Sequence, residues 1–98
     1  MNQDDIITYC ARKHYSLGYA RYWTEHVACE ACGRPSEPPH HIRTRGAGGK
    51  DDSRNLLGLC VEHHREIHAT GSRLFGVAFK HLASKIARAL EASRKVKV

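Results

Sequence analysis

CEACGRPSEPPHHIRTRGAGGKDDSRNLLGLCVEHHREIH, residues 29 to 68, decides how this chain folds. Its metal-binding and proton-handling side chains come in the order Cys29-x-x-Cys32, His40-His41, Cys60-x-x-His63-His64 and His68. A tetrahedral ion takes four nitrogen or sulfur ligands, so Cys29, Cys32, Cys60 and His63 fill one closed structural zinc site. The histidines left over are the candidates for chemistry.

The chain has 98 residues, enough for one domain but too few to bury a secure apolar core without help. A metal staple supplies that help. No charged-then-apolar leader opens the sequence and no apolar run approaches membrane-spanning length, so the expectation is a soluble, cytoplasmic chain. In that setting the cysteines read as reduced thiolates on zinc rather than disulfides. Cys10, outside the pattern, reads as a small buried residue of the first helix. The net charge is +6. Residues 1 to 71 balance 9 basic against 9 acidic residues, whereas residues 72 to 98 carry 7 basic residues against Glu91 alone. A polyanion would meet that end first, and basic surface supplies the sequence-independent part of nucleic-acid affinity.

Working outward, Ile6, Ile7, Cys10 and Ala11 behind Asp4 and Asp5 predict a helix over roughly residues 3 to 14, interrupted by Gly18. Tyr19 to His26 carries Tyr22 and Trp23 and is expected to pack across the zinc knuckle. Gly33 suits the left-handed conformation that turns backbone amides toward the sulfurs. His40 to Arg43 and Asn55 to Leu59 read as short strands around a polar loop, 44 to 54. Residues 61 to 69 read as a helix stopped by Gly71. Leu74, Ala78, Leu82, Ile86 and Leu90, with Phe75 and Phe79 beside them, predict one amphipathic helix over 73 to 93. Its stripe needs a partner, either the N-terminal helix or a second copy of the chain. Together these give an α+β fold: an N-terminal helix and lead-in (1–26), a metal-stapled core (27–71) and a basic amphipathic C-terminal helix (72–98).

Successive helical residues point about 100° apart, so His63 and His64 do not face one ion, whereas His64 and His68 share a face. The helix therefore serves two centres. His64 and His68 present imidazoles to a second ion, and the His40-His41 strand is the natural source of a third ligand. Three protein ligands leave coordination positions open, as in a catalytic metal site. Strand alternation puts His40 and His41 on opposite faces, which by itself does not tell ligand from base. His14, His26 and His81 read as packed or solvent-facing.

Pro39-His-His-Ile-Arg43, the Gly-Gly-Lys-Asp-Asp loop, Asn55-Leu-Leu-Gly-Leu-Cys60 and His63-His-x-x-x-His68 together resemble the HNH endonuclease family. The likeness is to its small form with a treble-clef zinc knuckle, often met in phages and prophages. It spans about residues 27 to 75. It implies a ββα-metal (His-Me finger) core flanked by helices, cutting DNA phosphodiester bonds with one divalent cation and leaving a 5′-phosphate. His41 corresponds to the general base, His40, His64 and His68 to the cation's ligands, and Asn55 to the asparagine that fixes the loop and orients the base. Many members carry aspartate where this chain has His40. An all-imidazole triad shifts preference from Mg²⁺ toward Mn²⁺, Ni²⁺ or Zn²⁺.

Arg43, Arg45, Lys50 and Arg54 are candidates for contacts to flanking DNA phosphates. Asp51 and Asp52 read as braces of the loop or as offsets to the arginines. No recognition helix is evident, so low sequence specificity is expected of an endonuclease or nickase, with a homodimer through the C-terminal stripe as one arrangement. The competing expectation is a non-catalytic zinc module binding nucleic acid or protein through the basic helix. That reading accounts for Cys29, Cys32, Cys60 and His63 but gives His40, His64 and His68 no purpose.

Overall fold

The computed structural model describes residues 3–95, with side chains through Glu91. Readings on Met1, Asn2 and residues 96–98, and on the basic side chains beyond Glu91, lie outside it. The described residues form five α-helices and a two-stranded sheet, an α+β arrangement. In chain order these are α1 (Gln3–Lys13), α2 (Leu17–Glu25), β1 (His40–His41), β2 (Leu56–Leu57), α3 (Val61–Thr70), α4 (Ser72–Ala78) and α5 (Lys80–Lys95). Two 3₁₀ turns, Arg45–Ala47 and Ser53–Asn55, shape the loop between the strands. Among the described residues no helix is long and apolar enough to cross a membrane.

α1 carries Asp4 and Asp5 in its first turn and Arg12 and Lys13 in its last, both favourable to the helix dipole. The break after it falls at His14, whose φ of 59° is left-handed, and not at Gly18. Ser16 restarts the helix as an N-cap, its hydroxyl accepting the Tyr19 N–H at 3.2 Å. Gly18 therefore lies inside the first turn of α2. Trp23 is buried against α1, edge-on to Tyr9 with ring centroids 5.3 Å apart, and does not lie over the knuckle. Tyr22 makes that connection instead. Its hydroxyl donates to Glu30 Oε2 at 2.5 Å, the same oxygen that accepts the Gly58 N–H, and it accepts from Lys85 Nζ on α5.

The strands are shorter than the sequence suggests because Asn55 takes over part of the ladder. β1 and β2 pair antiparallel, His40 opposite Leu57 and His41 opposite Leu56. One residue further, the Asn55 side chain accepts the Arg43 N–H at 2.8 Å and donates to the Arg43 carbonyl at 2.9 Å. Directly opposed residues of an antiparallel pair lie on one face and neighbours alternate. Leu57 and His40 therefore share one face, and Leu56 and His41 the other. The core divides the same way. Leu57 joins Ile42, Leu59, Ile67, Phe75, Leu82 and Ile86, while Leu56 joins Ile6, Cys10, Tyr19 and Trp23 of the N-terminal hairpin. Leu56 and Leu57 are fully buried, each contributing about 1.5–3 kcal/mol by leaving water.

The expected single helix over 73 to 93 is a helical hairpin. The chain bends at Phe79 (φ −118°, ψ 79°), so α5 folds back on α4. A straight helix would hold Leu74, Ala78, Leu82 and Ile86 on one stripe. The bend instead leaves Leu74 and Ala78 exposed and delivers Phe75, Leu82 and Ile86 to one core. The partner of the stripe is thus the knuckle with α3 and α4, not the N-terminal helix. Gly49 is where the inter-strand loop closes most tightly, since a Cβ there would overlap the Arg43 carbonyl oxygen. Gly49→Ala should lower stability by about 1–3 kcal/mol in urea unfolding, and an unchanged midpoint would show that the loop is looser than this.

Candidate functional site

The first donor set is built from a turn and a helix start. Gly33, at φ 82°, closes the knuckle so that its N–H bonds the Cys29 carbonyl at 2.8 Å, and the Ala31 N–H points at Cys29 Sγ at 3.4 Å. Cys60 is the N-cap of α3 and His63 lies in its first turn. These four side chains come together, each offering one donor atom within 4.8 Å of the others. Cys32 Sγ lies 3.8 Å from Cys60 Sγ, and His63 Nδ1 lies 3.7 Å from Cys29 Sγ and 3.2 Å from Cys60 Sγ. A tetrahedron with Zn–S near 2.3 Å and Zn–N near 2.0–2.1 Å has S–S edges of about 3.8 Å and S–N edges of about 3.6 Å. Cys29, Cys32, Cys60 and His63 could therefore hold a metal ion, and their spacing and chemistry are consistent with zinc.

The thiols differ in their surroundings. Burial pushes the Cys29 thiol up, against the pull of nearby backbone amides. At exposed Cys32, the Arg34 guanidinium lies 3.4 Å from the sulfur and is the largest influence, lowering the thiol to about 6. Arg34 is itself held by a two-pronged contact to Glu62 at 2.9 and 3.1 Å. The guanidinium thus favours the thiolate, the form that binds metal. All four cysteines of the chain are free of disulfides, and Cys10 is buried as expected.

His40, His64 and His68 form the second donor set, again within 4.8 Å of one another. α3 places His64 and His68 one turn apart, their Nε2 atoms separated by 3.1 Å. Two imidazoles on one metal at about 2.0–2.1 Å stand about 2.8–3.4 Å apart at right-angled or tetrahedral positions, so the pair fits. Glu37 fixes the orientation. Its carboxylate lies 3.0 Å from His64 Nδ1, and because an ionised carboxylate only accepts, Nδ1 carries the proton and Nε2 keeps its lone pair. Burial, followed by the neighbouring His64, His68 and His41, lowers His40 from 6.5 to about 3, which keeps it in the neutral form a ligand needs. The set opens onto a surface depression lined by Glu37, Val61, Arg65 and Ala69 as well as His64 and His68.

His41 stands apart from both sets. Its ring stacks on Tyr19 (centroids 5.3 Å apart, planes 17° apart) and approaches Tyr15, while Nε2 lies 2.7 Å from Asp51 Oδ1. Burial raises the Asp51 carboxyl, but hydrogen bonds from His41 and the Ser16 amide, with the nearby Arg45 guanidinium, outweigh it and hold the group below the usual carboxylate range. Asn55, buried, ties the loop at three points: the Arg43 N–H, the Arg43 carbonyl and the Lys50 carbonyl.

The four basic candidates separate. Arg45 is engaged internally, donating to the Lys13 and His14 carbonyls at 3.0 and 3.2 Å and lying over the Tyr15 ring. Arg54 bonds Asp52 within its own turn but stays largely exposed, Lys50 is exposed, and Arg43 is half-buried beside Gly48. Of the histidines read as ordinary, His26 stacks on Tyr22, His81 bonds the Glu30 carbonyl and His14 is exposed. The sequence reading missed Glu37 and the pairing of Asp51 with His41. Both contacts join segments distant in the chain, and no local spacing signals them.

No family model matches the chain, and no solved structure matches it. Over 49 aligned positions that cover 47% of this chain, it is 37% identical to the uncharacterized protein YdfU of Escherichia coli (strain K12), and the match spans 14% of that protein's length.

If zinc fills the four-donor site, loss of a knuckle ligand should unfold the domain, because structural zinc contributes on the order of 10 kcal/mol to such small folds. Cys29→Ser, or chelation of the wild type, should abolish the cooperative thermal transition in circular dichroism; a native-like transition in either would refute the staple. Acid should act through His40 as well. The unfolded chain protonates this residue below pH 6.5 while the folded chain resists until about 3, so stability falls across that window as pH drops. Between pH 7 and 5 the wild type should lose up to about 2 kcal/mol more than His40→Leu in urea unfolding. Equal losses would mean that His40 titrates normally.

Proposed function

We propose that this chain is a metal-dependent endonuclease or nickase of the HNH type, acting on DNA with low sequence specificity. One observation carries the reading: the three imidazoles of His40, His64 and His68 converge beside, but separate from, the four-donor cluster of Cys29, Cys32, Cys60 and His63, with α3 contributing side chains to both. A zinc staple alone requires only the four-ligand cluster. The sequence resemblance over residues 27 to 75 supplies the rest, and with it the assignment of the two strands and α3 as a ββα-metal core on a treble-clef knuckle.

In this reading Cys29, Cys32, Cys60 and His63 hold structural zinc, and His40, His64 and His68 hold the working cation. A divalent ion bound there would supply positive charge to a phosphate oxygen and to the departing 3′-oxygen. Glu37 orients His64 toward that position. His41, on the other face of β1, is the general base that takes the proton from attacking water, and an imidazole suits that task at neutral pH. Asn55 keeps the loop closed around the base. Exposed Lys50 and Arg54, with Arg43, are the contacts offered to flanking phosphates, and the net charge of +6 favours a polyanion. Arg45 has a role inside the fold instead. Contacts to backbone and metal carry no sequence information, which is why low specificity is expected.

Supercoiled plasmid tests this directly. With Mn²⁺ the wild type should convert it to open circles, His41→Ala should slow the conversion by about 10²–10⁴-fold, and His64→Ala should abolish metal-dependent cutting. Absence of nicking with Mn²⁺, Mg²⁺, Ni²⁺ or Zn²⁺, or equal nicking by His41→Ala, would refute the proposal. A chain that then still bound DNA would be a zinc-stapled binding module.

A further inference from the structure

The corner between α1 and α2 lies outside the stretch that carries the resemblance, yet it is fastened to the loop that holds His41. The Ser16 N–H donates to Asp51 Oδ2 at 2.8 Å, and the Ser16 hydroxyl reaches the Asp51 carbonyl at 3.4 Å. Arg45 crosses the other way to the Lys13 and His14 carbonyls, its Nε 3.9 Å from Asp51 Oδ1. Asp51 is thus clamped with one carboxylate oxygen on the corner and the other on His41 Nε2 at 2.7 Å. Tyr19 stacks against the same imidazole and restrains its rotation. An ionised carboxylate can only accept, so the His41 proton sits on Nε2 and Nδ1 is left as the acceptor of the ring.

We propose that Asp51 is a positioning residue for His41, and that the α1–α2 corner is part of the same device, holding the carboxylate where it locks His41 into the tautomer with a bare Nδ1. This rests on the reading of His41 as the general base. Asp51 touches neither metal ligand nor substrate in this scheme. It sets which nitrogen can take the proton of water, and the corner keeps it from swinging away.

Both oxygens of Asp51 are engaged by N–H donors, which makes Asp51→Asn a sharp test. An amide has one acceptor oxygen for two donors. The Ser16 backbone N–H cannot change, whereas an imidazole can move its proton, so the amide oxygen should stay on Ser16 and its NH₂ should donate to Nε2. That forces the His41 proton onto Nδ1 and removes the base without removing the ring. Long-range ¹H–¹⁵N spectra of the full zinc-loaded chain distinguish the two tautomers, and plasmid nicking with Mn²⁺ gives kcat and KM. The expected result is His41 protonated on Nε2 in the wild type and on Nδ1 in Asp51→Asn, with kcat falling by about 10²–10⁴-fold at unchanged KM and zinc content. Asp51→Ala serves as a second variant that deletes both acceptors, and it too should lose kcat without losing zinc. A wild-type His41 protonated on Nδ1, or variants that nick at the wild-type rate, would overturn the role of Asp51 while leaving the nuclease reading intact. Failure of the wild type to nick with any metal would overturn the nuclease reading itself, and the catalytic consequence drawn here with it.

Discussion

The first turn of α3 is where the fold is anchored. Cys60 and His63 bring that turn to the knuckle at Cys29 and Cys32, and the four donor atoms lie within 4.8 Å of one another, close enough to hold one ion. A chain of 98 residues has little apolar surface to spare, and here it is split into two clusters on either side of a two-residue ladder. Neither cluster is large. A bound metal at the junction of knuckle, β2 and α3 would hold together what burial alone holds weakly.

Everything of chemical interest is referenced to that anchor. With the start of α3 set by Cys60 and His63, helical geometry places His64 and His68 on a neighbouring face, where His40 meets them from β1. Adjacent His41 is turned by the strand pleat to the opposite face, into the aromatic wall of the N-terminal hairpin. Two adjacent histidines thus meet different surroundings. His40 is buried among imidazoles and held neutral, while His41 is paired with a carboxylate. In the proposed endonuclease this divides the labour between a cation ligand and a proton acceptor.

Much of this is legible in the sequence. The CxxC and CxxH spacings are local, so a turn and one helical turn suffice to bring Cys29 to Cys32 and Cys60 to His63. The same holds for His64 and His68, and for Gly33 and Gly71 as turn and stop. Spacing alone does not divide His40 from His41, because alternation says that they differ without saying which faces α3, and the family resemblance supplies the division. Glu37 and Asp51 were not legible as partners of His64 and His41, since their contacts span 27 and 10 residues of sequence. The bend at Phe79 was hidden for another reason: Leu74, Ala78, Leu82 and Ile86 keep perfect helical spacing through it, and only the shared core of Phe75 and Ile86 demands the turn. Arg45 likewise reads as a phosphate contact in the sequence, but the Lys13 and His14 carbonyls at the C-terminal end of α1 engage it.

One short helix that serves two distinct metal sites would give the chain two bound ions. Native mass spectrometry of the intact chain, titrated with Mn²⁺ after purification with zinc, counts them directly. The expected result is one zinc retained throughout and one further divalent ion taken up by the wild type but not by His64→Ala. A wild type that stays at a single metal per chain, however much Mn²⁺ is supplied, would contradict it.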